Sequence, residues 1–163
     1  MPLVVSTLQS ELVSIYDSGD KGNPNTDKLG KDVATAYFNY VSAGIDSGGS
    51  PFASMTGKDA LGIDLGDMYK KVATSGVLHA SDLTTAFNNC LLTFKTSWST
   101  SILTAAGMQL FFMGVNGILS SPSPDKSMFA RKFGLELASF TMMAMVSGII
   151  PGAPPVPYMG PIN

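Results

Sequence analysis

The sequence has little charge for its length. Asp, Glu, Lys and Arg make up 13% of the 163 residues, about half the usual share of a soluble domain. Twelve acids and ten bases leave a net charge of −2. This weak, dispersed charge excludes the electrostatic attraction on which nucleic-acid binding depends. A surface this poor in charge also indicates that neighbouring proteins cover much of it.

Cysteine and histidine are nearly absent. A single cysteine, Cys90, excludes an intramolecular disulfide. A Cys-His or Ser-His-Asp arrangement would have to use the one histidine, His79. On one helix Cys90 would lie about 16 Å beyond it, outside hydrogen-bonding distance. We therefore predict that the protein is not an enzyme and has no catalytic residue, metal site or cofactor. An enzyme built on its scattered aspartates would need a dry pocket where they converge.

One long segment carries no charge at all. It lies between Lys95 and Asp125 and is long enough to span a bilayer. Gln109, Asn116 and three glycines interrupt it, and intramembrane polar groups are costly. We therefore favour a buried helix and disfavour a membrane. The alternative is a small membrane-active, holin-like protein with a helical hairpin at 102–119 and 135–150.

Apolar residues at helical spacing predict a mainly α fold. Ser6 and Gln9 have the spacing of a capping box at the start of a short first helix. The second helix is expected over 26–43, where the apolar residues lie on one face. A third is expected over 61–76, weakened by glycine near its start.

A fourth helix is expected to begin at Ser81 and Asp82, with the clearest apolar stripe of the chain. The charge-free segment allows it to continue as far as Leu119, with a bend near 99–101. Ser123 as N-cap and Pro124 at the first helical position predict a last helix that runs to Gly148. The prediction is one domain of about five helices over residues 1–150.

The last thirteen residues, PGAPPVPYMGPIN, contain five prolines. Proline lacks an amide N–H and is excluded from the interiors of helices and sheets. We therefore predict an extended, polyproline-like arm over 151–163. The residues expected to form its interaction surface are Pro151, Pro154, Pro155, Pro157, Tyr158, Met159, Pro161 and Ile162.

Several ordered features together resemble a family. They are LGKDVATAYFNYVSAGI at 29–45, SDLTTAFNNCLLTFKTSW at 81–98, PSPD at 122–125, a final apolar helix and the proline-rich ending. This pattern resembles small virion structural proteins of the tail, neck or baseplate region of large tailed bacteriophages. The resemblance implies assembly in the host cytoplasm into the virion, with other virion proteins or copies of the chain as partners.

These observations predict a noncatalytic assembly component that joins neighbouring subunits through its helical body and its C-terminal arm. If the arm makes few contacts of its own, deletion of residues 151–163 should leave a folded body. Assembly should then weaken.

Overall fold

The computed structural model describes residues 3–18, 25–71, 76–121 and 125–163. Within these ranges the chain forms six helices and five strands. The helices are α1 Val5–Ser18, α2 Thr26–Ser42, α3 Lys58–Lys70, α4 Gly76–Leu91, α5 Ala105–Ser120 and α6 Lys126–Met142. The strands are β1 Phe52–Met55, β2 Phe94–Thr96, β3 Ser99–Leu103, β4 Met145–Ile150 and β5 Val156–Pro161. The predicted helical class is confirmed, with two small sheets in addition.

Local sequence accounts well for the starts of α2 and α6. The side chain of Asn25 accepts a hydrogen bond of 3.0 Å from the amide of Lys28. Asp125 likewise accepts one of 2.9 Å from the amide of Ser127. These bonds satisfy backbone donors that have no partner inside a helix. Most of the apolar stripe predicted for the second helix is buried, and its predicted bounds differ by one residue.

The helices recur along the chain with a period of 50 residues. Buried positions of α2 are repeated in α4 and again in α6: residues 30, 80 and 130; 33, 83 and 133; 41, 91 and 141. The odd-numbered helices follow the same period, as Leu65 of α3 and Val115 of α5 illustrate. The described chain is therefore built from three copies of one unit. Each unit has an odd-numbered helix, an even-numbered helix and two extended segments.

The three units close into a ring. The last strand of one unit pairs antiparallel with the first extended segment of the next: β1 with β2, and β3 with β4. The third junction joins the C-terminus to the first unit, because Ile162 bridges Asp46. The backbones of Ile45 and Asn163 also exchange two hydrogen bonds of 2.8 Å. The helices follow the same cycle, with α2 against α3, α4 against α5 and α6 against α1.

The core lies where α2, α4 and α6 face one another. The ring of Phe87 contacts Tyr37 at 5.1 Å and Phe133 at 5.7 Å between centroids. Phe111 of α5 completes the cluster at 6.0 Å from Phe87. The hydroxyl of Tyr37 is paired with that of Thr141 at 3.1 Å. Burying each of these phenylalanines contributes about 1.5–3 kcal/mol.

One helix crossing is closer than the other two. A methyl group added at Gly30 of α2 would collide with the backbone carbonyl of Gly62 and lie 2.9 Å from the Cα of Gly66. A backbone atom cannot rotate away as a side chain can. The equivalent residues of the other units are Ala80 and Ala130, both fully buried.

We expect Gly30→Ala to lower the free energy of unfolding by about 2–3 kcal/mol, because the added methyl group overpacks this crossing. Urea denaturation, monitored by circular dichroism, measures this loss of stability. The matched control is Ala80→Gly, which should cost about 1 kcal/mol through helix propensity. A gain in stability from Gly30→Ala would contradict the close approach of α2 and α3.

The expected continuation of the fourth helix to Leu119 is wrong. The helix ends at Leu91, where the Thr93 hydroxyl donates to the carbonyl of Cys90 at 2.7 Å and accepts from the amide of Gly57 at 2.8 Å. Strands β2 and β3 follow, and α5 begins only at Ala105. Threonine and aromatic residues favour extended backbone in this stretch.

The last helix is also shorter than predicted. It ends at Met142 rather than Gly148, and strand β4 follows. Ser123 and Pro124, its predicted first residues, lie outside the described residues. The second span of the alternative membrane hairpin, 135–150, is therefore divided between α6 and β4. Among the described residues, no helix combines the length and the apolar character needed to cross a membrane.

The C-terminal residues are part of the fold and not a separate arm. Strand β5 pairs with β4 from Met145 opposite Pro161 to Ile150 opposite Val156. The side chain of Ile162 is only 1% exposed and belongs to the core. The predicted boundary at residue 150 thus lies inside a β-hairpin. The expectation of a body that folds without residues 151–163 is revised accordingly.

Candidate interaction site

The predicted interaction residues lie on the β4–β5 hairpin and divide into three groups. Six are exposed: Pro151, Pro154, Pro155, Pro157, Met159 and Pro161. Tyr158 is half-buried, and its hydroxyl donates to the carboxylate of Asp46. Ile162 is in the core and cannot contact a neighbour. The residues available to a partner are therefore the turn and the outer side of β5.

A buried carboxylate holds this hairpin in place. Asp46 is 1% exposed and accepts hydrogen bonds from the Ser50 amide at 2.8 Å and the Thr96 hydroxyl at 2.5 Å, besides Tyr158. Burial raises the pKa of Tyr158, and the Asp46 carboxylate beside it raises this pKa further. The Tyr158 hydroxyl therefore stays protonated and donates a hydrogen bond to Asp46. Asp46 thus links the first unit to the second and third.

Two grooves occupy equivalent places between successive units, one between the first and second units and the other between the second and third. The α4–α5 groove has a volume of about 440 Å³ and is lined by Ser81, Thr84, Thr85, Ala105, Met108, Gln109 and Phe112. The α2–α3 groove has about 450 Å³ and is lined by Lys31, Ala34, Thr35, Lys58, Asp59, Gly62 and Ile63. Six lining positions of the two grooves are 50 residues apart.

The two grooves differ in chemistry although they share a backbone plan. Lys58 and Asp59 of the first are replaced by Met108 and Gln109 in the second. The α4–α5 groove therefore has no charged lining residue, whereas the α2–α3 groove has three. The third equivalent place is filled by the chain itself, since the Gln9 side chain donates to the carbonyl of Arg131 at 2.9 Å and lies against Gly134.

An unpaired hydroxyl lies at the α4–α5 groove. Thr84 is 2% exposed, lines the groove, and its hydroxyl has no hydrogen-bond partner among the described residues. A buried polar group without a partner is costly, and native structures rarely leave one. Next to the groove, Leu110 and Met113 of α5 are more than half exposed. The hydroxyl oxygen itself is inaccessible, so the surface that the groove offers is uncharged and largely apolar.

The catalytic candidates of the sequence do not come together. His79 lies inside α4 and not before its cap, and Cys90 lies near the end of the same helix. Burial raises the pKa of Cys90 to about 12, so its reactive thiolate form is suppressed at neutral pH.

Three of the scattered aspartates line one cleft between α3 and α4. Asp64, Asp67 and Asp82 lie there with Lys71 around a volume of about 300 Å³. All three aspartates are exposed, so the cleft lacks the dry environment that an acid–base site requires. Within the described ranges, no group of three or more His, Cys, Asp or Glu residues is placed to hold a metal ion.

Sequence reasoning missed the grooves because it missed the repeat. The signal was present: DVATAYFN at 32–39 and DLTTAFNN at 82–89 are 50 residues apart and share four residues, Asp, Thr, Ala and Asn. Aligning these two segments would have placed Lys58 opposite Met108 and shown that the two grooves differ in charge.

No protein-family model, curated protein or solved structure matches this chain. What the site can do follows from its own geometry. One uncharged surface is recessed between α4 and α5, and another projects at the turn of the β4–β5 hairpin. Such surfaces suit protein–protein contact.

Proposed function

We propose that this protein is a noncatalytic structural component of a bacteriophage virion, of the tail, neck or baseplate, which joins neighbouring subunits. The observation that carries the proposal is a pair of exposed surfaces that carry no charged residue. The charge-free α4–α5 groove and the β4–β5 hairpin supply these surfaces. The virion itself is proposed on the resemblance described for the sequence.

The closed ring supports a structural role because it presents both surfaces on a fixed frame. The hairpin is tied at its base by the Asp46 carboxylate and by Ile162 in the core. Side chains on such a frame lose little conformational freedom on binding, and this preserves affinity. The outer side of β5, with Met159 64% exposed, supplies apolar area at the same place.

The groove supports the same role through its contrast with its counterpart. Because the three units share one backbone plan, a role that needed only the ring itself would not require the equivalent grooves to differ in charge. Lysines and an aspartate line the α2–α3 groove, whereas methionine, glutamine and phenylalanine line the α4–α5 groove. The groove between the second and third units is therefore the one suited to an uncharged partner.

The test is incorporation into particles. An affinity-tagged full chain is produced during phage infection, particles are purified on a density gradient, and their proteins are identified by mass spectrometry. We expect the chain in the particles at a constant ratio to the major tail proteins. Its absence from particles, or its recovery only with the membrane fraction, would overturn the proposal and favour the membrane-active alternative.

A further inference from the structure

We propose that the segment 156–163, which contains strand β5, is exchanged between copies, so that a second copy of the chain supplies this strand to the ring of the first. The inference rests on the structural role proposed above and names the partner of the hairpin. The turn at 151–155 joins β5 to β4, and its five residues are all exposed. Its backbone makes no hydrogen bond to another element of the described chain.

The site that holds this segment is shaped for the side chain of Tyr158. A methyl group added at Gly48 would lie 2.8 Å from the Tyr158 ring, and one added at Gly148 would collide with its hydroxyl. The ring therefore lies against two glycines, one from the first unit and one from the third. The buried Asp46 carboxylate accepts the hydrogen bond of the hydroxyl. An aromatic ring with a hydroxyl donor satisfies both features.

A second pocket of the same site takes Ile162. A methyl group added at Gly44 would lie 2.9 Å from the Ile162 side chain and 3.1 Å from that of Leu3. Ile162 follows Tyr158 by four residues, so both side chains lie on the same side of an extended chain. A strand that adds to a sheet edge and fills pockets with alternate side chains is recognised by its sequence. The site therefore selects the segment 156–163.

The free edge of β5 restricts its pairing further. Pro157 and Pro161 lie on the edge that faces away from β4, where they offer no amide hydrogen. A released β5 can therefore add to a sheet only through the edge that β4 now occupies. Together with the two pockets, this edge directs a released segment to the same site on another copy.

Exchange costs little free energy because the contacts of β5 are the same in both arrangements. The pairing with β4, the bond to Asp46 and the burial of Ile162 are all recovered on a neighbour. The closed hairpin is favoured only by the short link, which gives an effective concentration of about millimolar order. Neighbouring subunits of a particle are concentrated enough to compete with it. Each copy gives one strand and receives one, so exchange yields closed dimers or open chains.

Disulfide trapping between two full-length variants tests the exchange. Ser147 of β4 and Met159 of β5 are directly opposite each other. They form a non-hydrogen-bonded pair with a Cα separation of about 4.5 Å, because the amide of Met159 faces away from β4. This separation suits a disulfide. One chain carries only Ser147→Cys and the other only Met159→Cys, so each chain alone lacks the second cysteine of the pair.

The two variants, one enlarged by an affinity tag, are refolded together from urea, oxidised with oxidised glutathione and separated on a non-reducing gel. The control mixture pairs Met159→Cys with Ser101→Cys. Ser101 lies opposite Ser147 on β3, two strand spacings or about 9–10 Å from Met159, which is too far for a disulfide. We expect the mixed dimer to increase with chain concentration and to exceed that of the control by about tenfold or more.

A single chain with both Ser147→Cys and Met159→Cys shows whether the pair can bridge at all. Exchange is overturned if this chain forms its disulfide only internally while the two mixtures give equal yields up to about 1 mM. Failure of the double variant to form any disulfide would also overturn it, because the register of β4 and β5 would then be wrong. A chain that enters particles without exchange refutes only this inference. A chain that exchanges β5 but is absent from particles refutes only the virion role.

Discussion

Truncation after residue 155 is expected to unfold the protein. It removes strand β5, the buried side chain of Ile162 and the two backbone hydrogen bonds between Ile45 and Asn163. It also leaves the Asp46 carboxylate without the Tyr158 hydroxyl. Loss of Ile162 packing alone costs about 2–5 kcal/mol. The total free energy of unfolding of such a domain is only about 5–15 kcal/mol.

Circular dichroism and urea denaturation measure this effect. The truncated chain should lose its cooperative transition, and Ile162→Ala in the full chain should lower the free energy of unfolding by about 2–4 kcal/mol. Met159→Ala is the control on the same strand, and its exposed side chain should change stability by less than about 0.5 kcal/mol. A truncated chain with a wild-type transition would show that ring closure contributes little.

The prolines of this strand led sequence reasoning to predict an arm. Five prolines in thirteen residues exclude a central strand but not an edge strand. Pro157 and Pro161 share the side of β5 on which the Asn163 amide faces Ile45, away from β4. Their missing N–H groups therefore interrupt no bond to β4. The positions of these prolines fit an edge strand only once the pairing of β5 with β4 is known.

The helices were predictable because their signals are local. The stripe of α2 and the caps at its ends lie within one segment, and its predicted and observed bounds nearly coincide. Strands β2 and β3 were predicted as helix because the residues that pair with them, 52–55 of the first unit and 145–148 of the third, are far away in sequence. Extended segments this short depend on such distant partners.

The candidate site was predictable only in part. The exposed prolines and Met159 were identified from composition, whereas the α4–α5 groove depends on the ring, which juxtaposes Thr84 with Met108 and Phe112. Thr84 gives no signal by itself, since threonine is common on helix surfaces. Its unpaired hydroxyl emerges only when α5 covers it.

Asp46→Ala is expected to be the most destabilising single substitution at the junction of the units. It leaves the Ser50 amide and the hydroxyls of Thr96 and Tyr158 without their acceptor. Each buried donor left unpaired costs about 1–3 kcal/mol. We therefore expect a loss of about 3–5 kcal/mol in the free energy of unfolding, measured by urea denaturation.

Asp46→Asn separates the charge of this residue from its hydrogen bonds. The amide oxygen can still accept from the Ser50 amide, and both hydroxyls can rotate to accept from the amide N–H groups. Among the described residues Asp46 has no cation within ion-pair distance, so removing its charge forfeits no salt bridge. We therefore expect Asp46→Asn to stay within about 1 kcal/mol of wild type.

Thr96→Val measures how much stability is lost when one hydrogen bond to Asp46 is removed. Thr96 and Val146 hold equivalent positions in the second and third units, so valine is sterically acceptable there. The expected loss is about 1 kcal/mol, the usual contribution of one hydrogen bond. If Asp46→Asn instead lost as much as Asp46→Ala, the negative charge itself would be required.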